Sequence, residues 1–221
     1  MNRMSRLHSL RASIDDVAKT FDADPGELFS IPADVTEGES GVVMFETGGR
    51  RRLRMMRWGF PRRIRDARKV GMEADIIGLV ADLTNPMWEQ TVVDPRYRCV
   101  IPITHFGNPE GDAGAKTRAW FSVKDQPIMA WAGFCRNIPD VGPCYAGMTM
   151  EANAAIPPTN DRMPVLLEFD EIDTWLHGTI QDVIRLQFRP PFAADRMDVM
   201  HTDDAWRNGG PPPSFAQMPL I

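Results

Sequence analysis

Apolar positions along this chain recur with two periods, and each change of period marks an element. In residues 13–21, Ile14, Val17, Ala18 and Phe21 share one helical face, with Ser13 placed to cap it and Asp16 three residues on. Residues 42–45 and 51–58 read as the two strands of a hairpin turning at Thr47-Gly48-Gly49. On the return strand, Leu53, Met55 and Arg57 alternate against Arg52, Arg54 and Met56. Strand-like runs follow at 95–106, 117–123, 127–136 and 145–151, parted by turn signals such as Asp125-Gln126-Pro127. Residues 159–169 read as a loop entering a buried strand at Val165-Leu166-Leu167. Helical period returns over 169–178, with Phe169, Ile172 and Leu176 in register and Gly178 as the stop. Many strands and few helices predict an α+β fold, one β-rich domain over residues 1–207. The Gly/Pro-rich tail, 208–221, reads as loose or as an extended arm.

Composition narrows the class without naming a function. At 221 residues and 43% apolar, the chain has material for one sizeable core. No apolar run approaches the roughly 18 residues of a membrane span, and the basic start lacks an apolar h-region. No membrane association is expected, and the cytoplasm is the expected compartment. Cys99, Cys135 and Cys144 are odd in number and lack metal-type spacing, and His8, His105, His177 and His201 lie far apart. Neither a disulfide framework, a metal site nor any other cofactor is expected. Charge is the informative departure. The net charge is −5, yet residues 50–69 hold ten Lys or Arg against Asp66 alone. A basic block on an acidic chain suits a polyanionic partner.

Four segments, in order, carry a likeness. They are "MRWGFP" at 56–61, "RCVIPITHF" at 98–106, "IMAWAGFCR" at 128–136, and "TMEANAAIPPTNDRMPVLL" at 149–167. Together they resemble the blocks of the SOS response-associated peptidase family, proteins that sense abasic sites in single-stranded DNA. The resemblance implies an α+β domain with a positive cleft over a twisted, barrel-like β core. It implies a cysteine exposed after removal of the initiator Met, whose thiol and α-amine trap the aldehyde of an abasic site as a thiazolidine. A Glu, a His and an Asn assist, and the same group removes residues that precede the cysteine.

Each of those positions departs from the family here. Aligning "MSRLHSLRASIDDVA" on the family start places Ser5 at the cysteine. The Glu position falls on Asn108, the His position on Asn160, and the Asn position near Leu79, with Ala81 for the nearby Arg. Serine offers no usable thiolate, and amides do not titrate, so covalent capture is not expected. A replacement pair, Cys99 with His105, is conceivable across "CVIPITH", although Cys99 matches a core cysteine of the family. Glu110 and Asp112 read as solvated loop acids.

The elements of binding persist. Arg57 and Trp58 keep the Arg-Trp-Gly block, Arg162 keeps its place before Met-Pro, and Arg62, Arg63, Arg65, Arg68 and Lys69 add to them. Guanidinium groups clamp phosphates and an indole stacks on unpaired bases, so single-stranded or damaged DNA is the expected partner. Three other readings stay open. Trp58 is core and the arginines a solvated hairpin edge; the chain is a protein-interaction module docking through its Pro-rich tail; or an autopeptidase or crosslinking activity survives on rearranged residues.

Overall fold

The computed structural model describes residues 7–27, 30–61, 76–85, 88–156 and 160–213. Strands β1 (Leu7–Ser9), β2 (Asp34–Thr36), β3 (Ser40–Thr47), β4 (Arg50–Trp58), β5 (Phe60–Pro61), β6 (Ile76–Ile77) and β7 (Leu79–Val80) make up the first half, with helix α1 (Ile14–Phe21). A short helix α2 (Glu89–Val92) precedes the long strands β8 (Arg98–Ile103), β9 (His105–Glu110), β10 (Thr117–Val123), β11 (Met129–Ile138) and β12 (Gly142–Glu151). Then come β13 (Arg162–Pro164), β14 (Leu166–Leu167), α3 (Ile172–His177), α4 (Ile180–Phe188) and β15 (Met197–Ala205). Strand outweighs helix, as expected for a β-rich α+β fold.

Local chemistry explains the elements the sequence announces. Ser13 Oγ accepts from the Asp16 N–H at 3.1 Å and starts α1, which buries Val17 and Phe21. The β3–β4 hairpin closes on Gly48 and Gly49, both at positive φ (59° and 70°), as a two-residue turn requires. α3 ends where Arg98, almost wholly buried, donates Nη1 to the carbonyls of Trp175 and Gly178. A cation at that end complements the helix dipole, while burial pulls the guanidinium pKa down.

Two sheets result. One runs β15-β10-β9-β1-β2; in the other, β12-β4-β3-β8-β11 closes on itself because β11 also pairs with β12. That closure makes the barrel-like core. Its interior holds Trp58, Trp131 and Tyr145, with His8 among them 4.9 Å from the Trp58 ring. Each indole N–H is satisfied: Trp58 on the Gly78 carbonyl (2.7 Å) and Trp131 on that of Met148 (2.7 Å). Gly147 is required here, since a Cβ would overlap the Trp131 ring.

Three expectations change. The alternation on β4 does not hold along its length: Leu53 is buried, but so are Met56 and Trp58, while Arg57 is exposed. The strand covers its two faces at different ends, so no single phase describes it. The run at 95–106 divides. A 3-10 turn (Pro95–Tyr97) leads into β8, and the chain crosses at Thr104 to β9 in the other sheet. The tail is anchored at its start. Arg118, 6% exposed, donates to the carbonyls of Trp206, Gly209 and Gly210 and lies between the Trp120 and Trp206 rings.

Candidate functional site

The crossing at Thr104 decides where the site lies. It carries β9 away from the barrel wall and sets Asn108 on the five-stranded sheet, opposite Ala119 of β10. Phe106 and Asn108 share a face by strand alternation. His8, the register partner of Phe106, shares it too, and its ring lies in the barrel core, so this is the face turned inward. Asn108 is 0% exposed, and neither its Oδ1 nor its Nδ2 finds a hydrogen-bond partner among the described residues. Asn160, 3% exposed, donates Nδ2 to the Pro109 carbonyl at 3.4 Å and leaves its own Oδ1 unpaired. The two asparagines therefore meet around Pro109.

Arg162 stands two residues beyond Asn160, with its guanidinium largely committed inside the fold. Nε donates to Thr149 Oγ1 (3.2 Å), and Nη2 to the carbonyls of Ala81 (2.7 Å) and Thr149 (2.6 Å). Burial lowers its pKa. Leu79 and Ala81 arrive through β7, which runs parallel to β12, and the Ala81 carbonyl also accepts from Gln187 Nε2 at 3.1 Å. A cleft of about 480 Å³ opens beside this junction, lined by Glu151, Asp161, Arg162 and the exposed Phe188.

Other candidates lie elsewhere. Trp58 does not offer a face for stacking: it is 0% exposed, parallel to Tyr145 at 6.1 Å, and hydrogen-bonded at its indole. The Arg-Trp-Gly block thus contributes a core residue at that position. Arg57, its neighbour, points the opposite way, exposed, with Nε on the Gly38 carbonyl at 3.1 Å. Arg62, Arg63 and Ser5 lie outside the described residues. β1 enters the sheet beside the site, because Leu7 packs against Gly107; a Cβ there would stand 3.1 Å from Leu7 Cδ2.

The Cys99–His105 pair is not formed. Cys99 is wholly buried on β8 and interacts with Cys135, and burial pushes its thiol pKa well up. His105, on the other sheet, holds Thr104 Oγ1 at 2.9 Å, and burial lowers its pKa to about 4. All three cysteines are buried.

One pair went unread in the sequence. Glu110, two residues past Asn108 on the same strand face, holds His201 Nδ1 through Oε2 at 2.7 Å. His201 is itself in line with Asn108, because Ala119 pairs with both. Its 91-residue separation from Glu110 left no local signal.

A strand-rich α+β fold with this junction defines a family. Residues 4–205 match the model of the SOS response associated peptidase (SRAP) family, and the chain belongs to it. Among similar proteins, Abasic site processing protein YoqW of Bacillus subtilis is 25% identical over 202 residues, covering 86% of this chain and 88% of the relative. Abasic site processing protein YoaM of the same organism is 24% identical over 201 residues, covering 86% and 87%. Crystal structures of a Bacteroides thetaiotaomicron protein (TM-score 0.73, 18% identity, covering 89% of this chain and 91% of that one) and a Bordetella bronchiseptica protein (0.72, 19%, 90% and 99%) share the fold. No helix among the described residues is long and apolar enough to cross a membrane.

Proposed function

We propose that this protein binds single-stranded or abasic-site DNA without covalent capture. One observation carries the reading. The positions expected to hold a carboxylate and an imidazole hold Asn108 and Asn160, brought together at Pro109 and unable to move a proton at neutral pH. All three cysteines are buried, so none of them is available as a thiol trap. Named relatives process abasic sites, which supports damaged DNA as the ligand class. Arg57, with the basic segment through Arg62 and Arg63, supplies the phosphate contacts, and Arg162 fixes the Asn160 loop through Thr149 and Ala81.

Fluorescence anisotropy tests this with an oligonucleotide bearing a borohydride-reduced abasic site, which cannot react. Binding should weaken as salt rises, each phosphate contact adding about −0.7 to the slope of log K against log salt. A denaturing gel after incubation with the unreduced site should show no protein–DNA adduct. A stable adduct, or binding indifferent to salt, would refute the proposal.

A further inference from the structure

We infer that the Glu110–His201 pair, at the surface beside Asn108, is a general base, and that it promotes strand scission at abasic sugars by β-elimination. The inference rests on the DNA-binding reading above and adds a reaction to it.

A carboxylate–imidazole contact on a surface is commonly worth little. This one is set apart by its place and its asymmetry. Asn108, Ala119 and His201 form one row across three strands, and Glu110 follows Asn108 on the same face. Neighbouring strands lie about 4.8 Å apart and alternate residues about 6.8 Å, so the pair stands within one nucleotide's reach of Asn108. Asn160 closes the group from the other side through the Pro109 carbonyl, between Asn108 and Glu110. The Glu110 side chain is 18% exposed and that of His201 is 66% exposed. The carboxylate is sheltered and the ring faces outward. Nδ1 is held by Glu110, which leaves Nε2 as the ring nitrogen to act as an oriented base. A carboxylate and an imidazole thus stand beside the two asparagines that cannot titrate.

The group includes a proton acceptor but no described thiol or lysine amine, so the reaction it suits proceeds without an adduct. In the open-chain abasic sugar, the C1′ aldehyde acidifies the protons on C2′. Nε2 of His201 takes one of them. The electron pair of that C–H bond becomes the C2′=C3′ double bond, and the C3′–O bond breaks with its electrons on the departing phosphate. The proton remains on the imidazole, where Glu110 balances the charge. The products are an unsaturated aldehyde on one fragment and a 5′-phosphate on the other, and no further reactant enters.

The test uses the full chain and a 5′-labelled single strand with one abasic site, resolved on a denaturing gel at neutral pH beside a protein-free control. Wild type should cut faster than the control. His201→Ala should lose ~100-fold or more of the added rate, a typical worth of a positioned base. Glu110→Gln should lose a smaller part, with affinity for the reduced-site oligonucleotide unchanged in both variants. Added imidazole should restore part of the rate to His201→Gly, which a structural role would not. Borohydride present during the reaction should trap no protein on DNA. Scission equal to the control, full activity in His201→Ala, or a trapped adduct would each overturn the inference. Failure to bind the reduced-site oligonucleotide at all would instead sink the DNA-binding reading beneath it.

Discussion

Acidification to pH 5 should cost this fold about 4 kcal/mol through two histidines. His8 lies between Trp58, Trp131 and Tyr145, with Nε2 on the Tyr145 hydroxyl at 2.8 Å and Nδ1 without a partner among the described residues. Protonation would place a charge in that aromatic box, and burial lowers the pKa to about 3. His105 is lowered to about 4, first by burial and then by the charge of Arg11. Both folded values lie below the unfolded value of 6.5. The unfolded chain therefore binds the extra protons, and the stabilisation is complete above 6.5 and lost as pH falls towards the folded values. Between pH 7 and pH 5 each histidine accounts for about 2 kcal/mol, at 1.36 kcal/mol per unit. Against a typical stability of about 5–15 kcal/mol, that is a large fraction. Asp82, Asp94 and Asp182, whose pKa values are lowered, titrate below this window. Urea unfolding at constant ionic strength reads the effect directly. Wild type should lose about 4 kcal/mol between the two pH values, and His8→Gln, which keeps a donor near Tyr145, only about 2. An unchanged slope in His8→Gln would show that His8 is not held neutral by burial.

Replacing Asn108 with Leu should raise stability by about 1–3 kcal/mol, since it removes two buried amide atoms without partners; a lower urea midpoint would mean that the amide is satisfied. Gly147→Ala should cost several kcal/mol, ~3 or more, or abolish folding, because the new methyl overlaps the Trp131 ring, and a thermal melt within a few degrees of wild type would contradict the packing. Asn108→Glu with Asn160→His should not produce a crosslink to abasic DNA. Adding Ser5→Cys to a chain started at Met4, so that the amine is freed, should produce at least a trace on a denaturing gel. An inert triple variant that still binds DNA would place the block at Leu79 and Ala81.

Elements fixed by neighbours in sequence were legible in the chain, and those fixed by distant partners were not. The Ser13 cap and the Gly48-Gly49 turn are local chemistry, and both are where the pattern places them. α4 also begins locally, with Thr179 accepting from the Asp182 N–H, but its short apolar stripe was passed over. β1 and β15 are three residues long and largely polar, respectively, and exist as strands through pairing with β9 and β10. At the candidate site, spacing along "CVIPITHFGN" and "TNDRMP" located Asn108 and Asn160, because family motifs are linear. Composition does not decide between the two readings of Trp58: an aromatic within a basic run looks like a stacking platform until its burial is known. No spacing rule joins Glu110 to His201, since five further strands and two helices separate them along the chain.

The Arg118 clamp also fixes where the protein can be shortened. The family match stops at residue 205, which invites truncation there. Such a chain would lose Trp206, Gly209 and Gly210, whose carbonyls take the hydrogen bonds that the guanidinium donates among the described residues. Arg118, 6% exposed in the intact fold, would lose those acceptors and the Trp206 ring, keeping the Trp120 ring and the charges of Asp34 and Asp204. A fragment that runs past Gly210, five residues beyond the point where sequence likeness ends, should therefore melt higher than one ending at residue 205.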